Sequence, residues 1–173
     1  MTDHSASRPT SRNADGVFEP FRAEDVPMEE FSRGRFGSRF RVLTEHGGGS
    51  HVGVVLEELP PGCQSNQLHY HMLEEEHVHV LSGSMTLLLG DRSYEMRAGD
   101  HVCFPAGQKV GHALVNRGDA PCRYLLIGER NPADVSVFPE TGRIGVRLMG
   151  EGYRMSASMG YWEGVDAADP PGE

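Results

Sequence analysis

Two histidines one residue apart, His69 and His71, followed by Glu76, are the residues whose types and spacing point most directly to chemistry. On a β-strand, residues i and i+2 leave the same face, with roughly 6.7 Å of rise between them. Two imidazoles so placed can share one metal ion. Four residues separate His71 from Glu76. That is room for a turn through Met72-Leu73-Glu74-Glu75, after which Glu76 opens the next strand and brings its carboxylate to the imidazoles. Gln67 has the strand parity of His69 and His71, so it is a candidate for lining the pocket and holding a polar substrate. The alternative for Gln67 is a plain polar residue at a strand end.

These residues meet only if the chain around them is built of short strands. The sequence has β-type runs at 40–43, 51–56, 67–71, 76–81, 85–89, 92–97, 101–104, 111–116 and 121–127, punctuated by glycine, proline and aspartate. Gly90-Asp91 is a hairpin signal between two of them. Arg117-Gly118-Asp119 suggests a second hairpin joining 111–116 to 121–127, and Pro139-Glu140-Thr141-Gly142 a third joining 135–138 to 144–148. Strands recurring about every 8–12 residues predict an all-β sandwich or barrel. Only Ala23 to Phe31 has helical character, with Asp25 as a possible cap. Residues 1–16 are polar and aperiodic and read as disordered, 17–37 as an extension, 38–148 as the barrel, and 149–173 as a second extension ending in an acidic tail.

The order Gly62, His69, His71, Glu76, Gly83 resembles the first signature of the cupin superfamily: a glycine, HxH, a glutamate after three or four residues, and a glycine six residues further on. The gap from Gly62 to His69 is one residue longer than usual. Gly99, Pro105-Ala106-Gly107, His112 and Asn116 are similar to the second signature, with four residues rather than two between Gly107 and His112. The chain is also similar to small bacterial single-barrel cupins. The resemblance implies a jelly roll, or double-stranded β-helix, with a divalent metal inside it. His69, His71, Glu76 and His112 are the implied ligands. Three neutral imidazoles and one carboxylate leave such an ion a net charge near +1 and open positions for water, oxygen or substrate. Nitrogen and oxygen donors suit iron, manganese, zinc, nickel or copper. A homodimer is expected by the same resemblance, with residues 17–36 covering a neighbour's sheet edge.

The composition bounds what else the chain can do. Its 173 residues suit one domain, and 25 acidic against 16 basic residues give a formal charge of −9. That field disfavours nucleic acid and anionic membranes, and no apolar run approaches the ~20 residues of a membrane span. The start Met1-Thr2-Asp3-His4 is unlike a secretory signal, so a cytoplasmic location is expected. Cys63, Cys103 and Cys122 share no CxxC spacing and read as reduced, small apolar residues. A second HxH, His77 and His79, has the opposite parity to Glu76 and reads as an outer-face or interface pair, with an adventitious metal site or a pH-sensitive contact as the sharper alternative. Arg33, Arg35, Arg39 and Arg41 read as partners for the acidic run Glu24-Asp25 and Glu29-Glu30 or for a neighbouring subunit, with binding of an anion such as a phosphate or carboxylate as the alternative. GxSxG, Walker A, GxGxxG and HExxH motifs are missing.

Three functions fit. The first, taken as the leading expectation, is a metal enzyme using oxygen on a small organic substrate, a dioxygenase-type reaction, which the ligand set permits. The second is a non-redox metal-dependent sugar-phosphate isomerase, epimerase or lyase. The third is a non-catalytic module binding a small ligand. A phosphosugar enzyme is expected to place arginine or lysine in the barrel, with Arg41, Arg92 and Arg123 as candidates.

Overall fold

Alternation of apolar and polar residues, broken by glycines that can turn sharply, gives thirteen strands in the described residues. The computed structural model describes residues 9–165. A six-stranded sheet has the order β1 (Glu29–Arg33), β2 (Phe36–Val42), β3 (Val52–Leu59), β10 (Cys122–Glu129), β5 (Glu76–Ser82), β8 (His101–Phe104). A three-stranded sheet has the order β7 (Arg92–Arg97), β6 (Ser84–Leu89), β9 (His112–Val115). A four-stranded sheet has the order β13 (Glu151–Arg154), β12 (Arg143–Val146), β11 (Val135–Phe138), β4 (Tyr70–His71). All strand pairs are antiparallel.

The core lies between the six- and three-stranded sheets. Leu59, Val78, Val80, Phe104 and Tyr124 come from one side, and Met85, Leu87, Met96 and Leu114 from the other. Alternation on β5 sends Glu76, Val78 and Val80 inward, and β6 buries Met85 and Leu87 in the same way. This is the all-β jelly roll expected. Gly83 turns the chain from β5 into β6 at φ +80°, where a Cβ would meet the Pro121 carbonyl oxygen at 2.8 Å. The hairpin at Gly90-Asp91 forms as predicted, pairing Leu89 with Arg92, and β11 pairs with β12.

The structure corrects several local expectations. Ala23 to Phe31 is not a helix: a single 3-10 turn covers Ala23–Asp25, and β1 begins at Glu29. Pro27 denies the chain a helical hydrogen bond, and Glu29 to Arg33 instead pair with β2. Within residues 9–16, Ser11 N–H donates to His46 O at 2.9 Å, and Arg12 bridges to Phe18. The Asn13 side chain accepts from the N–H groups of Asp15 and Val17 and stabilises the turn. Residues 1–8 and 166–173 lie outside the described residues, as do the corresponding parts of the expected disordered start and acidic tail.

Strands β9 and β10 are not a hairpin. β9 pairs with β6, and β10 with β3 and β5, so the link crosses between sheets. Asn116 pins that link. It is fully buried, donates to Leu59 O at 2.8 Å and Ala120 O at 2.9 Å, and accepts from Gly118 N–H at 2.9 Å. The run at 67–71 is a strand only at Tyr70–His71. Two of the clustered arginines are engaged within the chain: Arg39 meets Glu58 at 3.1 Å, and Arg41 donates to the carbonyls of Glu24 and Val26.

Candidate metal centre

The four residues singled out in the sequence converge at one end of the barrel. Tyr70–His71 pairs with β11 through Ser136. His69 and His112 exchange backbone hydrogen bonds of 2.8 and 3.2 Å, placing His69 beside the start of β9. Glu76 enters from the start of β5. Opposite it on β10 stands Gly128, where a Cβ would lie 3.2 Å from Glu76 Cγ. Glycine there leaves the glutamate its space.

His112 Nε2 lies 3.1 Å and His71 Nε2 3.4 Å from the same oxygen, Glu76 Oε2. Two ligands each about 2.1 Å from one ion stand about 3.0–3.4 Å apart at angles of 90–109°. The spacing therefore fits atoms sharing an ion. His69, His71 and Glu76 offer donor atoms all within 4.8 Å of one another. The chain thus has histidine and glutamate residues positioned for a divalent metal.

The outer nitrogens are held as a ligand set requires. His69 Nδ1 donates to Gln67 O at 2.8 Å, and His71 Nδ1 to Asp134 Oδ2 at 2.6 Å. Each contact fixes the proton on Nδ1 and leaves the Nε2 lone pair facing inward. Asp134 is fully buried and also accepts from Leu73 N–H at 3.0 Å. Behind it, Glu74 is 2% exposed and is held by the Arg147 guanidinium and by Asn131 N–H. His112 is set differently. Its ring stacks on Phe104 at 3.7 Å, and its Nδ1 is buried without a partner.

Electrostatics follow from this packing. Burial, then the neighbouring His112 charge, lowers the His69 pKa to about 4. The imidazole is therefore neutral and able to bind a cation well below neutral pH. Burial alone would raise Glu76, but the His112 hydrogen bond and the surrounding imidazoles outweigh it and hold the pKa below its ordinary value. Asp134 is likewise lowered, burial being outweighed by His71, Leu73 N–H and Arg147.

A cavity of ≈160 Å³ opens on the site. His69, Glu76 and His112 line it beside Glu57 and Tyr124, with Val78, Phe104, Leu114 and Leu126 as its apolar wall. The Gln67 side chain is not part of this lining; Ser65 and Asn66 are, and Gln67 contributes the carbonyl that orients His69. Among the described residues no arginine or lysine lines the cavity: Arg92, Arg123 and Lys109 are exposed, and Arg41 is engaged elsewhere.

Glu57 and Tyr124 escaped the sequence reading. Glu57 is 8% exposed, and burial raises its pKa against the opposing contacts of Ser38 and Tyr124. The Glu76 charge raises it further. Tyr124 is fully buried, and burial together with the Glu57 charge drives its pKa well up. Glu57 had a signal: it has the strand parity of Leu59, a core residue. Asp134 had none, since 63 residues separate it from His71.

A small antiparallel barrel that gathers three imidazoles and a carboxylate around an interior cavity defines a class of metal-site proteins. Comparison with known proteins gives the family. The family model for the cupin domain matches residues 55–128. A candidate sugar phosphate isomerase from Acidithiobacillus ferrooxidans is 29% identical, with a TM-score of 0.74, over 79% of this chain and 90% of that one. A sugar phosphate isomerase of the cupin superfamily from Silicibacter pomeroyi is 30% identical, with a TM-score of 0.72, over 81% and 95%. A polyketide cyclase from Streptomyces resistomycificus is 25% identical, with a TM-score of 0.56, over 65% and 80%. A search among curated protein sequences gives no match. The chain belongs to the cupin superfamily.

Proposed function

We propose that this cupin is a metal-dependent enzyme whose chemistry is proton transfer on a small hydroxycarbonyl compound, an isomerase-type reaction. His69, His71, Glu76 and His112 would hold the ion. When bound, a divalent ion supplies Lewis acidity to a carbonyl or enediolate oxygen. The observation that carries the reading is Glu57: a buried carboxyl of raised pKa, facing the same cavity as the ligand set. Such a group can take a proton from one substrate carbon and return it to the next. Tyr124 stands beside Glu57 and favours its ionised form, and one wall of the cavity is apolar.

Both isomerase-named structures cover 90% or more of their own length with this chain, which favours isomerisation over the dioxygenase-type reaction. The lining argues for an uncharged substrate, because Glu57 and Glu76 stand in it without a lysine or arginine to receive a phosphate. A second reading, oxygen-dependent chemistry, draws on the donor set itself: three imidazoles and one carboxylate suit iron(II). We also infer a homodimer, to be checked by sedimentation, and a cytoplasmic location, in keeping with three free cysteines. Among the described residues no helix is long and apolar enough to cross a membrane.

The test begins with elemental analysis of protein purified without chelators, with His69→Ala as control. Small hydroxyaldehydes and hydroxyketones are then incubated in deuterated water. Deuterium entering the carbon next to the carbonyl, lost in Glu57→Gln with metal content retained, is the expected result. Oxygen uptake in step with turnover, unaffected by Glu57→Gln, would transfer the assignment to the oxygen-dependent reading.

A further inference from the structure

The second HxH pair lies on the far side of the same strand. The inward residues of β5 are Glu76, Val78 and Val80, so His77 and His79 point out of the barrel. The edge strand β8 presents two more donors to the same outer face, since His77 lies opposite Cys103 and His79 opposite His101. Glu75, just before the strand, turns to the same place. Its Oε1 accepts from His77 Nε2 at 2.9 Å, and Cys103 Sγ lies 3.9 Å from that nitrogen. The three donor atoms of Glu75, His77 and Cys103 all lie within 4.8 Å of one another.

We propose that Glu75, His77 and Cys103 form a second transition-metal site, on the outer face of the barrel and selective for zinc. A tetrahedral ion bound at about 2.3 Å by sulfur and about 2.1 Å by nitrogen sets those two atoms about 3.6 Å apart. The observed 3.9 Å needs only a few tenths of an ångström of adjustment by partly exposed side chains. A thiolate, an imidazole and a carboxylate make a mixed set that suits zinc, with water as fourth ligand. On binding, the thiol proton passes to solvent, His77 exchanges its Nε2 proton for one on Nδ1 through solvent, and the Glu75–His77 hydrogen bond is replaced by bonds to the ion.

His101 makes the set more than a chance cluster. Its Nε2 lies 3.1 Å from His77 Nδ1, so that in the metal-bound tautomer His77 donates from Nδ1 to His101 and offers the Nε2 lone pair to the ion. The His79 ring packs against His101 at 5.8 Å and backs it. Glu129 stands nearby, accepting from Glu75 N–H at 3.0 Å, and adds negative charge that favours a cation. The outer set includes sulfur and the barrel set does not, so the two sites carry different spectroscopic signatures.

The experiment is a cobalt(II) titration of chelator-treated full-length protein, followed by zinc competition. The wild type is expected to show a thiolate-to-cobalt charge-transfer band that zinc removes. Cys103→Ser and His77→Ala should lose the band while keeping the barrel ion. His69→Ala should keep the band while losing the barrel ion, which separates this site from the proposed catalytic one. His101→Ala should weaken the outer site about ten-fold or more without changing the number of ions bound. As a second measurement, zinc should slow alkylation of Cys103, read by peptide mapping, in the wild type and not in His77→Ala. A wild type with no thiolate band and no zinc protection of Cys103, or a band that survives Cys103→Ser, overturns the proposal.

Discussion

His71 shows how one side chain depends on partners far from it in sequence. Its Nε2 faces Glu76 only because Nδ1 donates to a buried Asp134 at 2.6 Å. Asp134→Asn keeps an oxygen for Leu73 N–H but turns an amide N–H toward His71. The imidazole must then accept at Nδ1 and carry its proton on Nε2, where it opposes metal binding. Metal affinity should fall about 10–100-fold with the fold retained, as measured by competitive titration with a chromophoric chelator. His69 makes a second prediction. Its pKa of about 4 lies below the 6.5 of a free imidazole, so the unfolded chain takes up the extra proton. In metal-free protein, stability contributed by this group is complete above pH 6.5 and falls as the pH drops through 6.5 toward about 4. The full loss is roughly 3 kcal/mol. Urea unfolding across that range should show it, and His69→Asn should flatten the slope.

At the scale of elements, tight connections hold the site together as much as the strands do. β5 carries Glu76 at one end and turns at Gly83 at the other. At φ +80°, with the Pro121 carbonyl oxygen 2.8 Å from a built Cβ, Gly83 has no room for a side chain. Gly83→Ala should cost roughly 1–3 kcal/mol, seen as a lower denaturant midpoint with an unchanged m-value. Strand β4 is only Tyr70–His71, yet it holds one ligand of the site. Its position comes from two neighbours, β11 through Ser136 and β9 through the His69–His112 bridge.

On the scale of the whole molecule, three sheets each bring a residue to the candidate ligand set, and a bound ion would tie them. His71 belongs to the four-stranded sheet, Glu76 to the six-stranded and His112 to the three-stranded. Metal binding to the folded state alone stabilises it, by about 2.7 kcal/mol at a free-ion concentration of 100 Kd. Chelation should therefore lower Tm, and reloading should restore it. In His69→Ala the barrel-ion contribution should vanish, as scanning calorimetry would measure.

The sequence by itself determined the strand runs of the barrel, the hairpin at Gly90-Asp91 and the approach of His69, His71 and Glu76. Period-two alternation, turn residues and i, i+2 geometry act over a few residues and need no tertiary information. His112 was legible through the resemblance to the second cupin signature, and its contact with Glu76 at 3.1 Å agrees with it. The sequence missed β1, where pairing with β2 overrode a weak helical pattern, and mistook β9 and β10 for a hairpin. Which strands pair is decided by how sheets bury their faces, and a short link between two strands does not reveal that they belong to different sheets. Only the tertiary structure brought Glu57 and Tyr124 to the cavity, set Asp134 behind His71 and joined Cys103 to His77 across β5 and β8. Those groups meet across strand ladders and long loops, and a contact over such separations is fixed by the packing of the whole chain rather than by any local pattern.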